Sequence, residues 1–204
     1  MNHHVTIATA NRGVVRALTS KEGALLREHL LRLDEGSRHD RFNGFIDSSF
    51  IDRYAAKCMT DGTIVIAYLE DGVVRGAAEL HQPDLKRDSL PEIAFSVEAT
   101  VRRQGVGSLL FTRLIEKARA LGYRELRITT GAQNDAMRAL AHKFGAQLTF
   151  RHGESTGSID LGEPPATTGL PALSATWEAA RTIARFNRAW WRLTLQMYGW
   201  GRQA

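Results

Sequence analysis

Residues 102–108 have the residue types of an anion-binding turn. They read Arg-Arg-Gln-Gly-Val-Gly-Ser, follow a strand-like apolar run at Glu92–Val97, and precede a helical pattern over residues 109–121. The first N–H groups of a helix have no partner inside the helix and together carry roughly half a positive charge. Phosphate oxygens bind at such a helix start, and glycines let the backbone approach them closely. The sequence therefore predicts a phosphate-bearing ligand here, with arginines at the rim.

Two common phosphate-binding motifs do not fit this turn. A P-loop needs a Lys-Ser/Thr pair after its second glycine, where this chain has Ser108 and Leu109. A dinucleotide-binding fingerprint needs a third glycine, where Leu110 stands. The pattern that fits is Arg-x-x-Gly-x-Gly.

The composition is that of an ordinary globular chain. With 204 residues, 43% hydrophobic and 24% charged, it suits one domain with an appendage, or two very small domains. The single cysteine, Cys58, excludes an internal disulfide framework and a cysteine-based zinc site, and its helical surroundings favour a packed free thiol. Neither an apolar run of about 18 residues nor a signal peptide is recognisable, so a cytoplasmic location is expected.

The positive charge is concentrated near the C-terminus. Five arginines against one glutamate in residues 171–204 supply most of the net charge of +5. Residues 164–173 have the composition of a linker, and residues 174–199 predict an amphipathic helix with an arginine stripe almost opposite an apolar stripe. Three interpretations remain open for this helix: packing on its own domain or on a second copy as a homodimer, lying on a membrane surface, or contacting nucleic acid without sequence specificity.

Between a polar N-terminal arm (residues 1–12) and residue 163, the pattern predicts the order β-α-α-β-β-β-α-β-α-β-β. The predicted elements lie at 14–18, 20–33, 49–59, 63–69, 73–80, 92–97, 109–121, 125–130, 134–144, 148–150 and 158–161. Residues 34–38 are expected to be a polar break, and Asp71-Gly72 a hairpin turn. This order indicates an α/β (α+β) layout around a mixed sheet.

The element order and three motifs resemble the GNAT superfamily of N-acetyltransferases. The motifs lie at 94–97, 102–107 and 134–145, and the resemblance spans residues 13–163. Residues 31–38 with Arg41-Phe42, and the strand Glu92–Val97, are most similar to the bacterial protein-lysine acetyltransferase branch. The resemblance implies a GNAT fold, with a central mixed, mostly antiparallel sheet flanked by helices. It also implies transfer of an acetyl group from acetyl-CoA to a primary amine.

The resemblance assigns residues to the donor, acetyl-CoA. Backbone near Phe95 and Val97 would pair with the pantetheine arm, and the amides of residues 104–108 would hold the pyrophosphate. Asn134 would reach the cofactor from the next helix. The full set implied to bind coenzyme A is Phe95, Ser96, Val97, Arg102, Arg103, Gln104, Gly105, Val106, Gly107, Ser108, Asn134 and Met137.

The chemistry needs a base, because an alkyl ammonium has a pKa near 10.4 and losing its proton at pH 7 costs about 4.6 kcal/mol. Glu92 stands where the resembling branch has its proposed general base, with Glu79 and His81 in reserve. Many family members carry a tyrosine acid at a position that is Ala141 here; the neighbouring His142 is weighed as a substitute against an ordinary exposed histidine.

No metal is expected, since His3, His4, His81, His142 and His152 lack metal-ligand spacing. Two other functions remain open: a non-catalytic acyl-CoA-binding module, and a basic membrane or nucleic-acid adaptor acting through the C-terminal helix. The acceptor amine is left open between protein lysine, polyamine, amino acid and aminoglycoside. Residues 37–43 and 83–90 are the expected acceptor rim.

Overall fold

The computed structural model describes residues 13–83, 89–151 and 153–162. The predicted N-terminal arm, linker and C-terminal amphipathic helix lie outside the described residues, as do His3, His4, His152 and most of the expected rim at 83–90. The division into domains therefore stays a prediction.

Seven strands and five α-helices follow one another in the described residues. They are β1 Val14–Ala17, α1 Gly23–Arg32, α2 Glu35–Phe42, α3 Ser48–Cys58, β2 Ile64–Glu70, β3 Val73–His81, β4 Glu92–Val97, α4 Val106–Ala120, β5 Glu125–Gly131, α5 Asp135–Lys143, β6 Gln147–Arg151 and β7 Glu154–Asp160. None of these helices combines the length and hydropathy needed to cross a bilayer.

The strands form one sheet in the order β1-β2-β3-β4-β5-β7-β6. All neighbours are antiparallel except β4 and β5, which run parallel. The expected mixed, mostly antiparallel sheet flanked by helices is confirmed. The hairpin between β2 and β3 turns at Asp71 (φ 50°) and Gly72 (φ 78°), the positive-φ pair that a two-residue turn of this kind needs.

The two faces of the sheet carry separate cores because side chains alternate along each strand. One core joins α4 and α5 to the sheet through Leu110, Phe111, Leu114, Leu126, Ile128, Ala141 and Ile159. The other joins α1 and α3 to β2 and β3 through Leu26, Leu30, Ile51, Ala55, Val65 and Ala77. α2 packs on the same side as α1 and α3, since its Phe42 belongs to that second core.

α2 corrects the expected polar break at 34–38. The helix starts after Asp34, whose Oδ1 accepts the Ser37 N–H at 2.8 Å, and it ends at Asn43 in the left-handed region (φ 52°). Phe42 is its only buried residue, so no apolar periodicity marks it in the sequence. The observed order therefore has three α-helices between β1 and β2.

β7 also differs from its prediction, because it starts at Glu154 and runs through Gly157. A Cβ at Gly157 would lie 1.9 Å from the carbonyl oxygen of Gln147 on β6. The glycine is thus a site of close strand approach rather than a turn.

Candidate active site

β4 and β5 separate soon after they begin to pair. They are in register at Glu92 with Arg127 and at Ile93 with Ile128, and the Arg127 N–H donates to the Pro91 carbonyl at 2.8 Å. Beyond Ile93, β4 continues to Val97 paired with β3 alone. The edge of β4 that faces β5 is therefore open, and an extended ligand can bind such an edge as an added strand.

The glycine turn lies at the end of this opening. It follows β4 through the 3-10 turn Ala99–Val101, and its backbone turns sharply at Arg103 (φ 58°) and Gly105 (φ 83°). α4 then begins at Val106 without a side-chain cap at Gly105. The first-turn N–H groups of a 15-residue helix are thus left for a ligand, as the sequence predicts.

Arg102 links this turn to α2. Its Nε donates to the Val97 carbonyl at 3.0 Å, and its Nη2 contacts the Ser37 hydroxyl and lies 3.4 Å from the Asp34 carboxylate. The expected cofactor-binding guanidinium therefore connects the end of β4 with the start of α2.

Lys143 is a cation at this site that belongs to the motif at 134–145 but was not expected to bind the donor. Its Nζ donates to the Ser108 hydroxyl at 2.9 Å, which places a positive charge beside the first turn of α4. The two residues are 35 apart in the chain, and no local pattern relates them.

Phe95, Asn134 and Met137, which were also expected to bind the donor, lie at or beside the α4 core and the start of α5. Phe95 stacks on Phe111 of α4 with ring centroids 4.8 Å apart, and Phe111 stacks on Phe144 at 4.2 Å. Asn134 caps α5, its Oδ1 accepting the Met137 N–H at 2.9 Å. Met137 packs on the α4 core.

Ser96, also expected at the donor, faces α1 on the side of β4 opposite to Phe95. It belongs to a buried hydrogen-bond network around Glu98. The Ser96 hydroxyl lies 2.9 Å from His29 Nε2, and Glu98 is bonded by His29, Arg32 and Arg75 at 3.1, 3.0 and 2.9 Å. Burial favours the neutral acid, but these three partners outweigh it and lower the pKa of Glu98 to about 2. The network fixes the end of β4 against α1 and β3.

Glu92 stands at the point where β4 and β5 separate. It is half-buried, in register with His81 on β3 and with Arg127 on β5, and its side chain shares their face of the sheet. Within the described ranges its carboxylate has no hydrogen bond or ion pair. A carboxylate with these properties can accept a proton from a bound amine.

Glu79, the second candidate for the general base, already forms an ion pair with Arg41. It is fully buried, its Oε2 accepts from Arg41 at 2.8 Å and from the Tyr54 hydroxyl, and His81 Nε2 lies 3.3 Å away. Burial opposes its ionisation, but the Arg41 charge holds the pKa of the Glu79 carboxyl well below its usual range, with help from His81 and Tyr54. Glu79 is therefore a buried ion-pair partner, out of reach of a substrate amine.

Cys58 belongs to the same cluster. Burial and the nearby charge of Glu79 raise the pKa of its thiol, so it remains a packed, protonated thiol as expected. Ligand atoms of Cys58, Glu79 and His81 lie within 4.8 Å of one another, which is a zinc-like set. Arg41 and Tyr54 already hold the shared Glu79 oxygen, so this cluster is organised as an ion pair.

Position 141, where many members of the resembling family carry a tyrosine acid, is buried in this chain. Ala141 is fully buried against the α4 core, whereas His142 is exposed on the outer side of α5.

Residues 30–146 match the family model of the acetyltransferase (GNAT) family, which is more than half of the chain. The chain belongs to this family. Its members transfer an acetyl group from acetyl-CoA to an amine, so the protein is an acetyl-CoA-dependent N-acetyltransferase.

Solved structures share this fold at low sequence identity. The GNAT domain of PAT from S. lividans is 18% identical, with a TM-score of 0.62 over 72% of this chain and 90% of that domain. YncA of Salmonella typhimurium, solved with its cofactor acetyl-CoA, is 20% identical, with a TM-score of 0.59 over 80% and 99%. A phosphinothricin acetyltransferase from Sinorhizobium meliloti in complex with acetyl-CoA is 19% identical, with a TM-score of 0.56 over 79% and 95%.

The described residues fit acetyl-CoA at two places. The uncapped start of α4 suits a pyrophosphate, because its N–H groups point out of the helix with no side chain competing for them. The open edge of β4 suits the amide groups of a pantetheine arm, which can pair like a strand.

Proposed function

We propose that this enzyme transfers the acetyl group to a primary amine by direct attack in a ternary complex, with Glu92 as the general base. The observation that carries the proposal is the free, half-buried carboxylate of Glu92 at the point where β4 and β5 separate. Cys58, the only cysteine, is buried among Tyr54 and Glu79, which argues against an acyl-enzyme on sulfur.

The donor is held by backbone groups. Amides of residues 104–108 bind the pyrophosphate, with Arg103 and Lys143 beside them, and the backbone at Phe95 and Val97 pairs with the pantetheine arm. Each charge-assisted hydrogen bond contributes about 1.5–3 kcal/mol, so a few of them offset the ordering cost of a long flexible ligand. Acetyl-CoA supplies the acetyl group as a thioester, already activated for attack by nitrogen.

Glu92 makes the amine nucleophilic. At pH 7 an alkyl ammonium must lose its proton at a cost of about 4.6 kcal/mol, and a carboxylate beside the acetyl group accepts that proton directly or through one water. The nitrogen–carbon bond forms as the carbon–sulfur bond breaks, and the sulfur leaves as a thiolate. The new amide nitrogen then loses its second proton, which the thiolate takes up through solvent. Position 141 offers no acid for it, since Ala141 lies in the core.

The acceptor in this proposal is a primary amine of a protein lysine or of a small molecule. The motif at residues 31–38 with Arg41-Phe42, which resembles the protein-lysine branch, supports the protein lysine. This motif includes most of α2, which spans the opening between β4 and β5.

Replacing Glu92 tests the mechanism. Glu92→Gln removes the proton acceptor but leaves the donor groove, so we expect acetyl transfer to fall by 10²–10⁴-fold, roughly the range for general bases, across pH 7–9. Acetyl-CoA affinity, measured by calorimetry, stays within about twofold because backbone groups hold the donor. Transfer is followed as release of free thiol with a panel of amines.

Glu116→Gln is the matched control, because Glu116 is an exposed glutamate on α4 paired with Arg113. Near-full transfer by Glu92→Gln would exclude Glu92 as the base. A wild-type protein that binds acetyl-CoA but releases no thiol with any amine would favour a non-catalytic acyl-CoA-binding module.

A further inference from the structure

The opening between β4 and β5 is closed at one end by two isoleucines. Ile93 and Ile128 form the last residue pair in register before the strands separate. Just before them, the Arg127 N–H donates to the Pro91 carbonyl at 2.8 Å, so a backbone bond joins the two strands there. Ile93 and Ile128 are 1% and 0% exposed and belong to the core under α4. Glu92 and Arg127 face the other side of the sheet because side chains alternate along a strand, so this end has a packed apolar side and a half-buried polar side.

The free edge of β4 is about as long as the pantetheine arm of the donor. Backbone groups of Phe95 and Val97 point into the opening, because Glu98, the residue after β4, donates its N–H to β3 on the other side. From its first amide, an extended pantetheine arm reaches its sulfur after about eight bonds, which is about 10 Å or about three strand residues. A first amide at Val97 therefore puts the sulfur near Ala94 and the acyl carbon beside Ile93.

From Ile93, the space around the strands leaves the acyl chain one direction in which to extend. Ahead of it lies the hydrogen bond between Arg127 and Pro91, which closes the plane of the sheet. The polar side is the side of Glu92, and in the proposed function the attacking amine occupies it. The remaining side is that of Ile93 and Ile128, where the core is packed at the density of an organic crystal. An acetyl group ends before this core, whereas a longer acyl chain needs space that the two side chains fill.

We propose that Ile93 and Ile128 set the length of the acyl group, so that the enzyme accepts acetyl and propionyl donors and rejects butyryl and longer ones. This inference rests on the proposed pairing of the pantetheine arm with β4, and it names the donor specificity of that site. Ile128 is the better residue to change, because it lies on β5, to which the proposed function assigns no contact with the donor.

Acyl-CoA donors of increasing length test the assignment. Acetyl-, propionyl-, butyryl- and hexanoyl-CoA are compared with one acceptor amine by release of free thiol. For the wild-type enzyme we expect kcat/KM to fall by about tenfold or more from propionyl to butyryl, because a methylene that a packed pocket cannot accommodate has an effect of that size. Ile128→Ala removes most of the side chain and raises the butyryl-to-acetyl ratio of kcat/KM by about tenfold or more.

S-alkyl-CoA thioethers of the same chain lengths give a second readout, because they bind without reacting. By calorimetry we expect the affinity of the wild type to fall by about tenfold or more from the S-propyl to the S-butyl thioether. Ile128→Ala binds the two thioethers about equally. Ile128→Val covers the case in which Ile128→Ala fails to fold, and it shifts the preference in the same direction by less.

Ile159→Ala is the matched control. Ile159 is 2% exposed and belongs to the same core, but it lies on β7 opposite Leu126, with β5 between it and the opening. The control therefore loses stability through the same kind of cavity and keeps the wild-type preference for chain length.

Equal wild-type affinities for the short and the long thioethers would overturn the proposal. So would a preference in Ile128→Ala that matches that of Ile159→Ala, because a general loosening of the core would then explain the change. If the thioethers show the expected limit on chain length but no amine releases thiol from acetyl-CoA, the assignment of Ile93 and Ile128 holds and the proposed transfer to an amine fails.

Discussion

The three carboxylates on the α1–α3 side of β3 and β4 differ in how they are paired. Glu79 is buried with Arg41, and Glu98 is buried with His29, Arg32 and Arg75. Glu92, at the start of β4, is half-buried and unpaired within the described residues. The ion pairs of Glu79 and Glu98 thus give these two carboxylates structural roles, whereas the carboxylate of Glu92 is free to accept a proton.

The pairing of Glu98 predicts a pH dependence of stability. Its folded pKa of about 2 lies below the ordinary value of 4.5, so its contribution is fully present above about pH 4.5 and is lost as the pH falls toward 2. This shift in pKa corresponds to about 3 kcal/mol in the free energy of unfolding. We expect Glu98→Gln to be less stable than the wild type by about that amount at pH 6, with the difference shrinking steadily toward pH 2.

Urea unfolding at pH 6, 4.5, 3.5 and 2.5 measures this difference directly. Glu116→Gln, at an exposed position, is the reference and should differ little from the wild type at each pH. A constant difference between Glu98→Gln and wild type across the series would mean that the hydrogen-bonded charge is not what Glu98 contributes.

At the scale of elements, α4 and α2 lie on opposite sides of the opening between β4 and β5, where we propose that donor and acceptor bind. α4 presents its free N-terminal amides after Gly105, and α2 spans β4, β5 and β7 through Arg102 and Asn43. Arg102 belongs to both, because it joins the turn before α4 to the start of α2. The elements that we propose to bind donor and acceptor are therefore in direct contact.

Two glycines that flank α4, Gly105 and Gly122, allow a matched test of whether the turn at residues 102–108 binds acetyl-CoA. Gly105 and Gly122 have φ of 83° and 82°, and a Cβ at either would meet nothing within 4 Å. An alanine at each position therefore costs about 1–2 kcal/mol through backbone strain alone. We expect Gly105→Ala and Gly122→Ala to lower Tm similarly, while only Gly105→Ala weakens acetyl-CoA binding, by about tenfold or more.

Thermal unfolding and calorimetry with acetyl-CoA check this prediction. Equal acetyl-CoA affinities of the two variants would show that the turn at Gly105 does not hold the donor.

Much of the fold follows from local patterns in the sequence. Alternating and 3.6-residue apolar periods locate the strands and the long helices, and Asp71-Gly72 marks its hairpin. The sequence did not predict α2, because a short polar helix with one buried residue, Phe42, has no apolar periodicity. It predicted only the last part of β7, because Gly157 resembles a turn residue although it lies within the strand.

The site was predictable only where it is continuous in the chain. The uncapped helix start after Gly105 follows from a single stretch of sequence. The Arg41–Glu79 pair is 38 residues apart and the Lys143–Ser108 contact 35, and periodicity says nothing about such distant partners. The separation of β4 from β5 is equally hidden, because alternation predicts a strand but not where its pairing stops.

At the scale of the whole molecule, the sheet consists of two parts that share few backbone bonds. β1 to β4 form one part and β5, β7 and β6 the other, and they meet at two residue pairs, Glu92 with Arg127 and Ile93 with Ile128. The stack of Phe95, Phe111 and Phe144 links β4 to α4 and to the end of α5. The core around α4 on one side and α2 on the other therefore hold the two parts together where the sheet does not.

Hydrogen exchange should reveal this division. We expect acetyl-CoA, at a few times its Kd, to slow exchange at Phe95, Val97 and residues 104–108 by at least about tenfold, because these amides gain partners. Amides of β1 and β6, at the outer edges, should change less than about fivefold, since global stabilisation at that ligand concentration is small. Uniform slowing across all seven strands would contradict a local groove between β4 and β5.

The separation of β4 and β5 has a further consequence for how the protein avoids self-association. Unpaired strand edges are templates for aggregation, and proteins normally shield them at the borders of a sheet. Here the open edge of β4 faces β5 within the sheet, with α2 across one side and α4 on the other. The enzyme thus keeps free backbone donors and acceptors for its ligand without offering that edge to another copy of the chain.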